Sequence, residues 1–319
     1  MSRLTVRALI VHLAVLALLF ALQYVAPDYI HLQLTRVMVL AVYAMGYNLL
    51  FGYTGLLSLG HAMFFAAGLY GAALGVTQFG LGAPSAFVAG VVIGAAFSTL
   101  VGVVALRTSG VAFMIVTLMF AQAVHLAVLY FGAYTRGDEG LVLPPTARSF
   151  DAFGATVDLT DLVTRYNLAF ALFAATMLFC FIAVRSPLGR VLVAIRENEP
   201  RTTMLGYDVT RQKLIALVLS GTISATAGAA YALMFAYAGA SFASIQYSIH
   251  PLLWTLVGGA ATVLGPFVGT LVMFTLVDVA SGYTTASLLA VGAVLIVIVL
   301  FFPKGVVGTV RSRWAPWLP

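Results

Sequence analysis

Charge is the scarcest property of this 319-residue chain: 8% of its residues are Asp, Glu, Lys or Arg, whereas 62% are hydrophobic. Soluble domains carry about 25% charged and about 45–50% apolar residues. Sixteen basic and ten acidic side chains cannot clothe a water-facing surface of 33.7 kDa. A soluble enzyme is excluded, and so is a disordered chain, which would be polar and highly charged. Cysteine is nearly missing: the single Cys180 lies in an apolar stretch and can form no intrachain disulfide. No Cys/His spacing suits zinc, and neither a metal nor any other cofactor is implied. No G-x-x-x-x-G-K-[ST] segment occurs, which excludes ATP binding by a phosphate loop of this chain. Acids are rarest inside the apolar runs, where Asp278 stands alone near the end of one. Proton- and sodium-coupled carriers ordinarily keep ionisable relays deep in the bilayer.

What is present is apolar helix. A mean hydropathy of +1.06 and a requirement of about 20 apolar residues per crossing place spans at 9–26, 33–51, 57–77, 84–106, 111–131, 166–184, 214–238, 250–264, 266–282 and 286–302. The expectation is an all-α polytopic membrane protein of about ten transmembrane helices, a single transmembrane domain over 1–319. The eighth span is short enough to be a broken or re-entrant element. The N-terminus, with Arg3 and Arg7 before Ala8–Leu22, imitates a signal peptide. Its best cleavage pattern, Tyr24-Val25-Ala26, is followed by Pro27, so an uncleaved first span is expected.

The net charge of +6 raises nucleic acid as a partner, but the basic residues flank apolar runs, where lipid headgroups hold them. Ten crossings put twelve of sixteen Lys and Arg on one side: Arg3, Arg7, Arg107, six in 185–213, Lys304, Arg311 and Arg313. Both termini are therefore expected in the cytoplasm. A re-entrant eighth segment would export the basic tail. Two loops are long: 132–164, outside and acidic, and 185–213, inside and polar.

Two Gly-rich interruptions of apolar helix, Gly52-Tyr-Thr-Gly55-Leu-Leu and Gly258-Gly259-Ala-Ala-Thr-Val-Leu-Gly265-Pro266, echo one another across the chain. Matching interruptions in two halves point to a transport path; close helix packing through small residues is the alternative. The polar residues inside spans are mostly neutral: Asn48, Ser58, His61, Thr117, Gln122 and His125. They either join helices by hydrogen bonds or line a path for a polar solute. In the inner segment, Ser186-Pro187 is a helix start, Glu199-Pro200 repeats the signal, and Gly206 suits the left-handed residue past a helix end. A helix of about one and a half turns over 200–205 is predicted, too short to stand alone. It either docks on a soluble partner or belongs to a solvated loop.

Several separated blocks carry a resemblance: Asn48-Leu-Leu-Phe-Gly-Tyr-Thr-Gly-Leu-Leu-Ser-Leu-Gly-His-Ala62, Leu106-Arg-Thr-Ser-Gly-Val111 with Thr117 and Phe120-Ala-Gln122, Thr135-Arg-Gly-Asp-Glu-Gly-Leu141, Arg196-Glu-Asn-Glu199 with Leu205-Gly206, and Phe302-Pro-Lys-Gly305. Together they resemble LivM-type permease subunits of branched-chain amino-acid ABC importers, over nearly the full length. The resemblance implies a fold similar to type II importer permeases and a non-enzymatic subunit in a bacterial inner membrane. It also implies a second permease subunit as heterodimer partner, two cytoplasmic ATPase subunits and a periplasmic substrate-binding protein. Arg196, Glu197, Asn198, Glu199 and Gly206 would then couple to the ATPase. Asn48, Ser58, His61 and Gln122 would line the path, and Gly52, Gly55, Gly258, Gly259, Gly265 and Pro266 would break its helices. The sequence departs from the family pattern at Arg201-Thr202, where an Ala pair is usual, at Arg136, where Gly is usual, and at Ala261 in the Gly-rich stretch. Branched-chain amino acids are the default solute; related permeases move urea, amides or aromatic acids. A stand-alone channel or secondary carrier is the reading from another class.

Overall fold

The computed structural model describes residues 3–152, 155–283, 286–315 and 317. Five helices come first: α1 (Arg3–Leu22), α2 (Asp28–Asn48), α3 (Ala62–Phe79), α4 (Ala83–Ala105) and α5 (Gly110–Tyr130). The loop after α5 holds a single turn, α6 (Gly132–Thr135), and three short strands, β1 (Leu141–Val142), β2 (Ser149–Ala152) and β3 (Ala155–Asp158). There follow α7 (Leu162–Arg185), α8 (Pro187–Glu197), α9 (Glu199–Met204), α10 (Val209–Phe235), β4 (Tyr237–Ala238), α11 (Ile245–Gly258), α12 (Gly265–Tyr283), α13 (Ser287–Phe301) and α14 (Val306–Arg313).

Among the described residues, seven helices are long and apolar enough to cross a membrane: α2 with its continuation to Tyr53, α3, α4, α5, α7, α10 and α12. The other three expected spans fall on α1, α11 and α13. With 14 residues, α11 rises about 21 Å, short of the roughly 30 Å core. Its bounds differ from the predicted 250–264 because Gly259, at φ +120°, ends the helix and 259–264 turns back. The residues before it are not helical either: Ala236 is left-handed at φ +55°, β4 pairs with β1, and Ala240–Ala243 is a 3-10 turn.

Caps set the remaining boundaries. Asp161 accepts a hydrogen bond from the Thr164 N–H at 2.8 Å, so α7 begins earlier than the apolar run alone suggested. Its carboxyl is held below the usual carboxylate range by that bond and by the Thr164 hydroxyl. The short inner helix runs over 199–204 rather than 200–205, because Asn198, not Glu199, supplies the cap, accepting from Arg201 N–H at 2.9 Å.

The scaffold is held by close backbone approach. A Cβ on Gly68 would strike the Ala225 carbonyl, one on Gly228 the Phe65 carbonyl, and one on Gly90 would lie 2.6 Å from Gly68 O. Small residues thus let α3, α4 and α10 touch backbone to backbone, the packing that works where lipid offers no hydrophobic drive between helices. Against them α2 is the central helix: 89% of its apolar window is buried, compared with 28% for α4 and 22% for α5. At the loop end, Arg148 donates to Leu159 O at 2.8 Å, Leu233 O at 3.0 Å and Met234 O at 2.7 Å. It thereby ties the β2–β3 hairpin to the unsatisfied carbonyls at the end of α10. Desolvation there, and then the nearby Arg165, lower its pKa.

Candidate functional site: the junction of two interrupted helices

The two glycine-rich interruptions lie far apart in sequence and meet in space. After Asn48 the second helix widens into a π-turn over Leu49–Tyr53, the form of helix bulge that recurs at functional sites. Gly55 then turns the chain at φ +79°. On the other side, α11 and α12 form a tight antiparallel hairpin. A Cβ on Gly258 would strike Gly265 O, and one on Gly269 would strike Trp254 O. Gly258 is the last residue of α11, and Gly265 and Pro266 open α12.

Asn48 joins the two. Its side-chain Nδ2 donates to Thr262 O at 2.9 Å and its Oδ1 accepts from Ala261 N–H at 3.0 Å. The residue is 3% exposed, and it satisfies two backbone groups of the 259–264 turn that have no other partner among the described residues. Gly52 fits beneath this bridge; a Cβ there would collide with Asn48 Oδ1 and lie 2.6 Å from Ala261 N. Two arginines brace the junction. Arg196 Nη1 donates to Gly52 O, and Arg311 Nη1 donates to Ala261 O at 2.6 Å. Beside them lies a cavity of about 660 Å³ that reaches from Gly52 and Gly55 to Lys304 and Arg311.

The remaining predicted path residues are not all brought to this point. His61 is fully buried; its Nε2 lies 2.8 Å from Ser220 Oγ, and its ring packs on Tyr43, Tyr47 and Phe64. Ser220 also donates to Gly46 O. This is the interhelical alternative for His61, with one ring nitrogen, Nδ1, left without a partner among the described residues. Ser58 is 1% exposed; its carbonyl accepts from Tyr47 Oη at 3.2 Å and its Oγ from Gly60 N–H at 3.3 Å. Thr117 holds the irregular segment by accepting from Leu59 N–H at 3.2 Å. Gln122 is half-buried and has no side-chain hydrogen bond among the described residues. Its neighbour His125 meets Ala240 O through Nδ1 at 3.1 Å. Asp278 is at the opposite end, accepting from Tyr29 Oη.

Ser220, Ser248, Thr262, Lys304 and Arg311 were not singled out from sequence as site residues. Ser248 donates no local signal: its Oγ accepts from Ala62 N–H at 2.9 Å, 186 positions away. Nothing in the local pattern around Arg311 distinguishes it from any other basic residue beside a span.

The inner segment 185–213 folds as two helices. Ser186 caps α8, whose Arg196 reaches the junction, while Glu197 lies exposed at its end. Glu199 pairs with Lys213 at 2.6 Å, fixing α9 to the second turn of α10. Thr202 faces inward at 2% exposure, whereas Met204, Leu205 and Tyr207 are 87%, 70% and 46% exposed. Gly206, at φ +87° with nothing within 4 Å of a notional Cβ, ends the helix.

Residues 29–302 match the profile of a family described as the permease component of branched-chain amino acid transport systems. The chain is 25% identical over 297 residues to the high-affinity branched-chain amino acid transport system permease protein LivM of Salmonella typhimurium, covering 88% of this chain and 70% of that protein. It is 31% identical over 103 residues, 31% of this chain and 30% of the relative, to a probable LivM permease of Methanocaldococcus jannaschii. Similarity extends to LivH of Salmonella typhimurium, 21% identical over 84% of this chain and 91% of that protein. No solved structure matches the chain.

Proposed function

This chain belongs to the permease-component family of branched-chain amino acid transport systems, and from that premise we propose that it forms one membrane half of an ATP-driven importer. The solute is a small polar molecule, by preference a branched-chain amino acid delivered by a periplasmic binding protein. A second, homologous permease completes the path. The relatives carry two names, LivM and LivH, which supports a heterodimer. Two ATPase subunits bind on the cytoplasmic side. The chain crosses a bacterial inner membrane ten times with both termini in the cytoplasm. The shared location of Arg196 and Arg311, at one end of the molecule, supports that orientation.

The observation that carries the reading is the continuity from α9 to the junction. Met204, Leu205 and Tyr207 protrude at the end of α9, an apolar knob suited to a cleft on a soluble motor. Immediately before α9, Arg196 hydrogen-bonds the Gly52 carbonyl. Tilting α8–α9 therefore pulls directly on the interrupted second helix, and Asn48 passes the displacement to the 259–264 turn. Interrupted helices are where backbone groups can face a polar solute inside a membrane. This chain's part is to present that path and to move it; hydrolysis belongs to the motor.

Two substitutions test the coupling. Gly206→Pro forces φ near −65° onto a residue at +87°, and Glu199→Lys sets two cations against each other at the base of α9. Both variants are expected to insert normally and to lose leucine uptake, with diminished co-purification of the ATPase. Lys213→Glu added to Glu199→Lys restores the pair and part of the uptake. Wild-type uptake in both single variants would remove α9 from the coupling role.

A further inference from the structure

The cavity at the junction has a chemistry that solute transport does not account for. Arg196, Lys304 and Arg311 line it together with Phe51, Leu256 and Pro303, and no acidic side chain among the described residues contributes to its wall. Each arginine uses one Nη on a backbone carbonyl and retains further N–H groups, since a guanidinium has five donors. Lys304 has no side-chain partner among the described residues and is solvent-exposed. Three cations without an acidic partner among the described residues, around about 660 Å³, a volume in the ligand-pocket range of about 300–1,000 Å³, can hold an anion.

The surroundings indicate which source supplies it. Lys304 follows the end of α13, whose Leu300 and Phe301 are 73% and 74% exposed, and Trp314 just beyond Arg311 is 81% exposed. An apolar helix end, basic residues and an exposed Trp define the bilayer–water boundary. We propose that this cavity binds the phosphate of an anionic membrane phospholipid, with Arg196, Lys304 and Arg311 as its ligands and the acyl chains lying along α13. Basic pockets between membrane helices accept such headgroups. Because Arg196 and Arg311 also hold Gly52 and Ala261, the bound phosphate stiffens the junction itself. The inference rests on the chain's being a membrane protein and is independent of which solute it transports.

The test uses the purified full-length chain, delipidated in a zwitterionic detergent and titrated separately with phosphatidylglycerol, phosphatidylcholine of the same acyl chains, and inorganic phosphate. Thermal melting and native mass spectrometry are the readouts. Phosphatidylglycerol is expected to bind saturably and raise the melting temperature, phosphatidylcholine not. Lys304→Gln weakens the apparent affinity about fivefold, the effect of one basic residue at a charged headgroup. Lys304→Arg restores it. Arg313→Gln, which removes an equal charge outside the cavity, leaves it unchanged. Equal response to the two lipids, or equal weakening by Arg313→Gln and Lys304→Gln, overturns the site. Saturable stabilisation by inorganic phosphate that competes phosphatidylglycerol away overturns the lipid as the source. Protection of the cavity by the ATPase subunit in lipid-free complex, with no lipid binding, would assign the cations to an acidic face of that subunit instead.

Discussion

Replacing Asn48 by Leu keeps the volume of the side chain roughly constant and deletes both of its hydrogen bonds, to Ala261 N–H and Thr262 O. Hydrogen bonds between membrane helices measure about 0.6–1.7 kcal/mol each, so the pair contributes about 1–3 kcal/mol. The backbone groups left behind set the upper end, because a buried unpaired donor or acceptor costs about 1–3 kcal/mol by itself. Ala261 and Thr262 also border the cavity, where water can replace part of what Asn48 supplied, and this favours the middle of the range. The quantity is local: it is the free energy holding the 259–264 turn against the second helix. Amide hydrogen exchange reads it directly, since 1.4 kcal/mol is a factor of ten. Exchange at Ala261 in Asn48→Leu is expected to quicken about 5- to 150-fold, while amides in the middle of α3 and α10 keep their rates. Asn48→Asp should quicken it less, since a carboxylate cannot donate to Thr262 O but still accepts from the Ala261 amide. If Ala261 exchanged at the wild-type rate in a properly inserted Asn48→Leu protein, the bridge would not hold the two interruptions together.

Gly52→Ala drives a methyl group into Asn48 Oδ1 and the Ala261 amide; a loss of about 1–3 kcal/mol is expected, seen as a lower melting temperature. Added to Asn48→Ala, the same change should cost clearly less, and strict additivity would show that the two residues do not share the space. On α12, Gly269→Ala meets the Trp254 carbonyl, whereas Gly282→Ala meets nothing within 4 Å. The first should lower the melting temperature and the second leave it level or slightly raise it. Asp161 caps α7 with a folded-state pKa below its ordinary value, so its contribution is complete above about pH 4 and fades as pH falls through the depressed pKa. The protection factor at Thr164 should fall on acidification in the wild type, and Asp161→Asn, an uncharged cap, should abolish that pH dependence.

Which parts of the molecule were legible beforehand follows from what selects each residue. Composition settles the class, because 8% charge cannot solvate this surface. Local chemistry settles helix ends: Ser186 with Pro187 opens α8, and Gly206 closes the segment after α9. Even there the boundary moved by one residue, with Asn198 capping in place of Glu199. The interior arrangement was not legible. Lipid and protein core both select apolar side chains, so α4, at mean hydropathy 2.3, is less buried than α2, at 1.5. The hydropathy pattern that separates inside from outside in soluble proteins is thereby erased.

The candidate site divides along the same line. The sequence alone established a polytopic helical permease-like chain, its two glycine-rich interruptions, and the short inner helix, since each depends on residues within a few positions of one another. Only the tertiary structure brought the interruptions into contact through Asn48, 214 positions from its partner Thr262, reached Gly52 with Arg196, and enclosed His61 behind Ser220. Those contacts join backbone carbonyls and amides, which every residue possesses, so no side-chain pattern could have announced them before the helices were packed.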